Sequence, residues 1–277
     1  MGTMAKRAYE ASGRSDDGAI PVLLVAAIGS GIAAGVIEGY VSQWLSLVIL
    51  FPLLIGLAAG GVAAWLIRAK NVRAPGLALV IGSVGGVCGA LAVLVVRYLL
   101  VRAEVGEELG FFEWYEMAAE VGTTLSRHGS GGAAITGIGY HLFTAVNVLI
   151  SAGVGGWTAR AAANEPFCEH CKHWYDADEV IFSSSGEKDA IKQTTTWLEN
   201  GEMARAILES PSETDKRALL FQVNRCATCQ TSDPILALKQ LIKGKKQQVN
   251  DKWKSVITPD QLAEMQKAAQ TKTVANA

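Results

Sequence analysis

The sequence predicts an α-helical polytopic membrane bundle of four transmembrane helices, followed by a small α+β domain. Three observations carry that expectation: half of the 277 residues are hydrophobic, 29 are glycine, and the charge is concentrated toward the C-terminus. Such a chain is too apolar and too glycine-rich for an ordinary soluble domain. Aromatics make up only 7%, so the apolar content is aliphatic and small, the mixture that close-packed membrane helices use. Of 25 basic and 26 acidic residues, 15 and 16 follow Asn164. The formal net charge of -1 supplies no global field toward nucleic acid or an acidic partner.

Residues 1–18 carry charges of both signs and read as a cytosolic N-terminal tail. The apolar run Ala19–Val41 is too long for a cleavable signal core, and no small-x-small site follows it, so it is expected to stay as an anchor. Lys6 stands where a myristoylation motif needs Ser or Thr. Four stretches, 19–41, 44–67, 75–100 and 133–157, reach the roughly 20 helical residues that cross a hydrocarbon core about 30 Å thick. They make residues 19–162 the transmembrane domain. Only Ser42 and Gln43 join the first pair, which predicts a tight hairpin.

Arg68, Lys70 and Arg73 lie between the second and third spans, and the positive-inside rule puts that loop in the cytoplasm. Lys6, Arg7, Arg14 and Arg160 then fall on the same side, and both termini are cytosolic, at a plasma (bacterial inner) membrane. The loop 103–132 carries six glutamates against Arg127 and falls outside. Within it, Phe111, Trp114, Tyr115, Ala118, Val121 and Leu125 share one helical face, with Glu113, Glu116 and Glu120 on another. An interfacial helix anchored by aromatics is expected there.

Glycines recur at four-residue spacing as Gly31 and Gly35, Gly56 and Gly60, and Gly82 and Gly86. This glycine-zipper spacing predicts helix faces that pack by close backbone approach. On the fourth span Thr136, Tyr140, Thr144, Asn147 and Ser151 form a polar stripe with His141 beside it. It reads either as a proton or ion path with His141 titrating, or as interhelical hydrogen bonding. The second is favoured, because no intramembrane carboxylate lies near mid-depth to partner the histidine. Glu38 near the end of the first span, with Arg97 and Arg102 on the third, is expected to snorkel to water. Cys88 reads as a small buried hydrophobe.

After Arg160 the chain changes character, and residues 163–277 read as a zinc-ribbon-like cytosolic domain. Cys168 and Cys171, then Cys226 and Cys229, form two CxxC knuckles, the four-thiolate set of one structural zinc ion. The 54 residues between the pairs exceed the ribbon spacing of about 15–20 and require an inserted substructure. Residues 180–182 suggest a short strand, Ser184-x-x-Glu187 a capping box opening a helix that stops at Asn200-Gly201, and residues 202–208 a second helix. Residues 218–225 alternate as a strand, 235–242 and 249–257 flank a lysine-rich turn as a hairpin, and Thr258-Pro259 caps a last helix. Two knuckles, one following a strand, disfavour a thioredoxin-like dithiol. His170 and His173 read as neighbours of the metal, although either is an alternative ligand. Because the domain is small, its fold is expected to depend on the metal.

Lys239, Lys243, Lys245, Lys246, Lys252 and Lys254 are the one basic concentration, with Trp253 the single aromatic among them. A solvated hairpin is favoured over phosphate binding there. No HExxH, phosphate-binding glycine loop or nucleophile with an evident base is visible, so an enzyme is the least favoured class. The expected function is a non-enzymatic membrane scaffold that presents a structural-zinc docking domain to a protein partner at the cytosolic face. Membrane lipid is the other expected partner, nucleic acid is disfavoured, and a homo-oligomer is left open. The alternatives are a membrane-tethered nucleic-acid-binding regulator and a small transporter using the stripe around His141.

Overall fold

A computed structural model describes residues 9–15, 18–42, 50–105, 109–124, 134–175, 179–211, 217–226, 228–229, 232–242 and 248–275. The chain divides into two units, one spanning residues 11–164 and the other residues 165–277 with Tyr9 and Glu10.

The first unit contains α1 (Ala19–Val41), α2 (Leu50–Ala69), α3 (Pro75–Val105), α4 (Phe111–Val121), the two-residue strands β1 (Thr123–Thr124) and β2 (Ala134–Ile135), and α5 (Ile138–Ala163). Helices α1, α2, α3 and α5 are long and apolar enough to cross a membrane, the length and composition of a membrane protein. Their burial inverts the soluble pattern. Gly31, Ala59, Ala63 and Ala159 are buried, whereas Val25, Leu149, Trp65 and Trp157 are exposed. Lipid solvates the large side chains, and the small ones let backbones meet.

The close contacts set the direction of each span. Gly31 packs on Gly85, Gly35 on Gly89 and Gly39 on Val96, so α1 and α3 run parallel. Gly56 meets Ser151 and Gly60 meets Gly155, so α2 and α5 do the same. Between α3 and α5 the order reverses, with Gly82 on Gly155 and Gly86 on Ser151. The four spans therefore alternate up and down. The turn between α2 and α3 ends α2 with Asn71 at φ 53, a left-handed position that Asn tolerates. The Val72 amide reaches back to the Ile67 carbonyl (3.0 Å), and the Arg73 amide bonds Arg14 O (2.9 Å).

Several boundaries differ from the sequence expectation. Residues 43–49, which include the start of the expected second span, lie outside the described residues, and α2 runs on to Ala69. Helix α3 continues past residue 100 to Val105. The fourth span begins at Ile138 rather than 133, because Ala134 and Ile135 pair with Thr124 and Thr123 and Gly137 takes φ 55. That backbone conformation favours glycine and sets the point where extended chain gives way to helix. Cys88 is half-buried rather than enclosed.

The second unit holds β3 (Phe167–Cys168), β4 (His173–Trp174), β5 (Glu179–Ser185), α6 (Lys188–Glu199), α7 (Met203–Leu208), β6 (Arg217–Asn224), β7 (Ile235–Ile242), β8 (Gln248–Val256) and α8 (Pro259–Ala275). Strands β5 to β8 form an antiparallel sheet in sequential order. Leu219, Phe221, Leu236, Leu238 and Trp253 from the sheet pack against Trp197, Leu198, Met203, Ile207 and Met265 from the helices. The expected capping box at Ser184 is absent: Ser184 is buried within β5, and α6 starts at Lys188 behind Glu187. A reciprocal box does form at Thr258, whose amide donates to Gln261 Oε1 (2.8 Å) while the Gln261 amide donates to Thr258 Oγ1 (3.3 Å).

Candidate metal centre

The first knuckle is a turn between two paired strands. Phe167 lies opposite Trp174 and Cys168 opposite His173, their register fixed by the Tyr175 amide on Pro166 O (3.0 Å) and by edge-on packing of Phe167 against Trp174 (5.0 Å). Lys172 turns the chain at φ 52 directly after Cys171. The amides of Cys171 and His170 consequently point at the Cys168 sulfur. N–H groups aimed at a sulfur stabilise its thiolate form.

The second knuckle, Cys226 and Cys229, occupies the connection between β6 and β7. The inserted chain returns through β5, α6, α7 and β6, and antiparallel pairing of β5 with β6 brings Cys226 back toward the first knuckle. All four sulfurs lie within 4.8 Å of one another, with Cys168 Sγ and Cys229 Sγ at 3.4 Å. A tetrahedron with metal–sulfur bonds of about 2.3 Å has sulfur–sulfur edges of about 3.8 Å, so the cluster has the dimensions to hold a metal ion. Cys168 and Cys226 are buried, while Cys171 and Cys229 are half-buried. Crowding opposes ionisation of Cys168 and Cys171. Cys171 is pushed up to about 12, first by its hydrogen bond with the Cys229 thiol and then by burial, and burial pushes Cys168 upward. A divalent cation reverses this, because it binds thiolates and displaces their protons.

His170 and His173 are exposed and lie outside the four-sulfur group. Two tyrosines flank the centre without any local sequence signal: Tyr9, from the N-terminal tail, accepts the Phe167 amide at 3.0 Å, and the Tyr175 hydroxyl donates to Asp233 O at 3.0 Å. Tyr9 is 158 residues from its partner, beyond the reach of spacing arguments.

The expected stripe divides. Thr136 precedes α5 altogether, while Tyr140 is buried and Thr144 and Asn147 are half-buried. Ser151 is fully buried and donates to Pro52 O on α2 and Asn147 O on its own helix, both at 3.0 Å. His141 lies in the first turn of α5, with Nδ1 at 3.3 Å from Tyr115 Oη and Nε2 at 4.0 Å from Glu116. Glu38 does not snorkel: it is 9% exposed, and among the described residues its Oε2 has no hydrogen-bond partner. On the expected face of α4, Trp114 is buried and Phe111, Tyr115 and Ala118 are half-buried, whereas Val121 is 73% exposed and Leu125 lies outside the described residues.

The six expected packing glycines all occupy helix–helix contacts in which an added Cβ would overlap a neighbour. Spacing missed their counterparts Gly85, Gly89 and Gly155. On α5 the spacing signal was Ser151, Gly155 and Ala159, in which serine and alanine stand for glycine. Among the lysines, Lys243, Lys245 and Lys246 lie outside the described residues, Lys252 and Lys254 are exposed, and Trp253 is a core side chain.

Comparison with known proteins finds no matching family model, curated protein or solved structure.

Proposed function

We propose that this chain is a non-enzymatic membrane scaffold whose second unit is a docking domain stabilised by one structural zinc ion. The observation that carries the proposal is the convergence of Cys168, Cys171, Cys226 and Cys229 from two distant knuckles. Four thiolates close a tetrahedral shell and suit zinc, leaving no coordination position for a reacting water. A site of that kind holds shape rather than performing chemistry, and a membrane anchor gives that shape a fixed location. In this proposal the basic end of the bundle, with Arg68, Arg73 and Arg160, faces the cytosol of a plasma or bacterial inner membrane. The docked partner is a protein.

Metal analysis of the purified intact protein tests the zinc, with one equivalent expected. Affinity capture from gently solubilised membranes tests the docking. A protein partner retained by the wild type and lost with Cys171→Ser supports the scaffold, and equal retention refutes it. Thiol labelling tests the orientation: in intact cells an impermeant reagent should reach Glu116→Cys and not Lys70→Cys.

A second proposal, a membrane-tethered nucleic-acid binder, has one observation behind it. Lys188, Arg217 and Lys252 converge with Gln240 and Asn250 on a cleft of about 350 Å³ at one end of the sheet. Binding through such a cleft should weaken steeply with added salt. An intact protein that ignores RNA and DNA at low salt excludes it.

A further inference from the structure

We propose that a cavity roofed by α4 binds the headgroup of a zwitterionic membrane phospholipid, with its phosphate on Arg97. The cavity, about 480 Å³, lies among the C-terminal turns of α3, the end of α1 at Ser42, the inner face of α4 and the first turn of α5. Its size falls within the range of small-ligand sites. Arg97, Glu104, Trp114 and Tyr140 bring polar groups to it, and Leu100 and Met117 supply apolar wall.

Position along α3 identifies the ligand class. Arg97 follows Pro75, the start of the span, by 22 residues, or about 33 Å at 1.5 Å per residue. A hydrocarbon core is about 30 Å thick, so a cation at this level meets lipid phosphates. The inference therefore rests on α3 spanning the bilayer, and not on the zinc or scaffold proposal.

The charges point the same way. Arg97 is half-buried, and among the described residues it makes no hydrogen bond or ion pair. Glu38 is within electrostatic reach of it, yet one carboxylate oxygen of Glu38 stays buried and, among the described residues, unpartnered. A guanidinium presents a planar fork of donors that matches a phosphate in two-point contact. Exposed Glu104 at the rim supplies the opposite charge for a headgroup ammonium. An anion alone would leave Glu104 repulsive, whereas a zwitterion satisfies both.

The roof is held in place before any ligand arrives. Tyr98 on α3 donates to Leu109 O at 2.9 Å and packs against Phe111 and Trp114 at 5.4 and 5.9 Å, while Tyr115 packs against Tyr140 of α5 at 5.7 Å. A preformed cavity lowers the ordering cost of binding.

Native mass spectrometry of the intact protein in mild detergent tests the proposal, with phosphatidylethanolamine, phosphatidylglycerol and inorganic phosphate as probes. The wild type should bind phosphatidylethanolamine, Arg97→Gln should bind it roughly tenfold more weakly, and Arg97→Lys should recover part of the loss. Glu104→Gln should shift preference toward phosphatidylglycerol, and this variant reads the site even if the Arg97 substitutions do not fold. Unchanged phosphatidylethanolamine binding in a folded Arg97→Gln protein overturns the proposal, as does an unchanged lipid preference in Glu104→Gln. Full displacement of the lipid by inorganic phosphate also overturns it, since the site would then serve a free anion.

Discussion

Removing the metal should destabilise the second unit without dismantling its sheet. The hydrophobic core, built from Phe221, Leu236, Leu238 and Trp253 against Trp197 and Met265, contains none of the four cysteines. A bound ion instead ties Cys171 to Cys226 across 54 residues. Closing a flexible loop of that length costs about 3.5 kcal/mol, taken as three-halves RT ln n, which is a large part of a stability of about 5–15 kcal/mol. The expectation that the whole fold depends on metal thus narrows to the knuckles. At about 4 °C per kcal/mol for a unit of this size, chelation or Cys226→Ser should lower the unfolding midpoint by about 14 °C. Tryptophan fluorescence follows the transition in the intact protein, and hydrogen exchange should show β3 and β4 losing protection before β6 and β7. Cys88→Ser is the control and should change nothing in metal content. A reduced, metal-free protein whose midpoint and exchange match the metal-loaded form would refute the reasoning. Loss of the core strands together with the knuckles would refute the narrower version and restore the wider one.

Four further outcomes are expected. Gly155→Leu places a side chain where a Cβ alone would sit 2.5 Å from Gly82 O and 3.4 Å from Gly56 O, so thermal stability in detergent should fall by about 1–3 kcal/mol or more. Ser151→Ala removes the bond to Pro52 O and should cost about 0.6 kcal/mol, with no change in ion or proton flux in vesicles. Lys272 donates to Ile207 O in α7 at 2.7 Å and to Ser210 O just beyond it, so Lys272→Met should lower the second unit's midpoint by an amount equivalent to about 1 kcal/mol. Metal retention should fall as pH falls, measured as bound zinc across a descending pH series. The raised Cys168 and Cys171 values stabilise the metal-free fold below the ordinary thiol range and lose that effect as pH rises through them, whereas the metal-bound form requires thiolates.

What could be read in advance depended on how local its cause was. The spans were legible because length and hydropathy are properties of a single helix, and α1 and the start of α3 match their expected limits. The start of α5 was not, because residues 133–137 are as apolar as the helix beyond. What separates them is the pairing of Ala134 and Ile135 with Thr124 and Thr123, together with the backbone of Gly137. Strand β6 alternates in a way that a pleated, half-buried surface requires, so it stands near its expected limits. Ser184 failed as a cap because Ser183, Ser184 and Ser185 pair with Leu220, Leu219 and Ala218, and a partner strand overrides a short polar motif.

The two sites differ in the same respect. Cysteine pairs announce a candidate metal centre because thiolate chemistry fixes both the residue type and its spacing, so the four cysteines that could hold an ion are visible even though the chain that joins them is not. The cavity under α4 has no such grammar. Its lining comes from α1, α3, α4 and α5, and Arg97 and its neighbour Glu38 each look like an ordinary charge near the end of a span until the bundle places them together. Snorkelling was the reasonable expectation for Glu38, since a carboxylate three residues from the end of a helix usually reaches water. Packing of Gly35 on Gly89 and Gly39 on Val96 draws α1 against α3 along that turn, and the closeness that small residues permit is what encloses the carboxylate. The buried charge at this end of the bundle is therefore a consequence of the glycine contacts. A single larger residue at Gly39 should open Glu38 to solvent and weaken the electrostatic hold on Arg97, coupling the packing of the bundle to the cavity beside it.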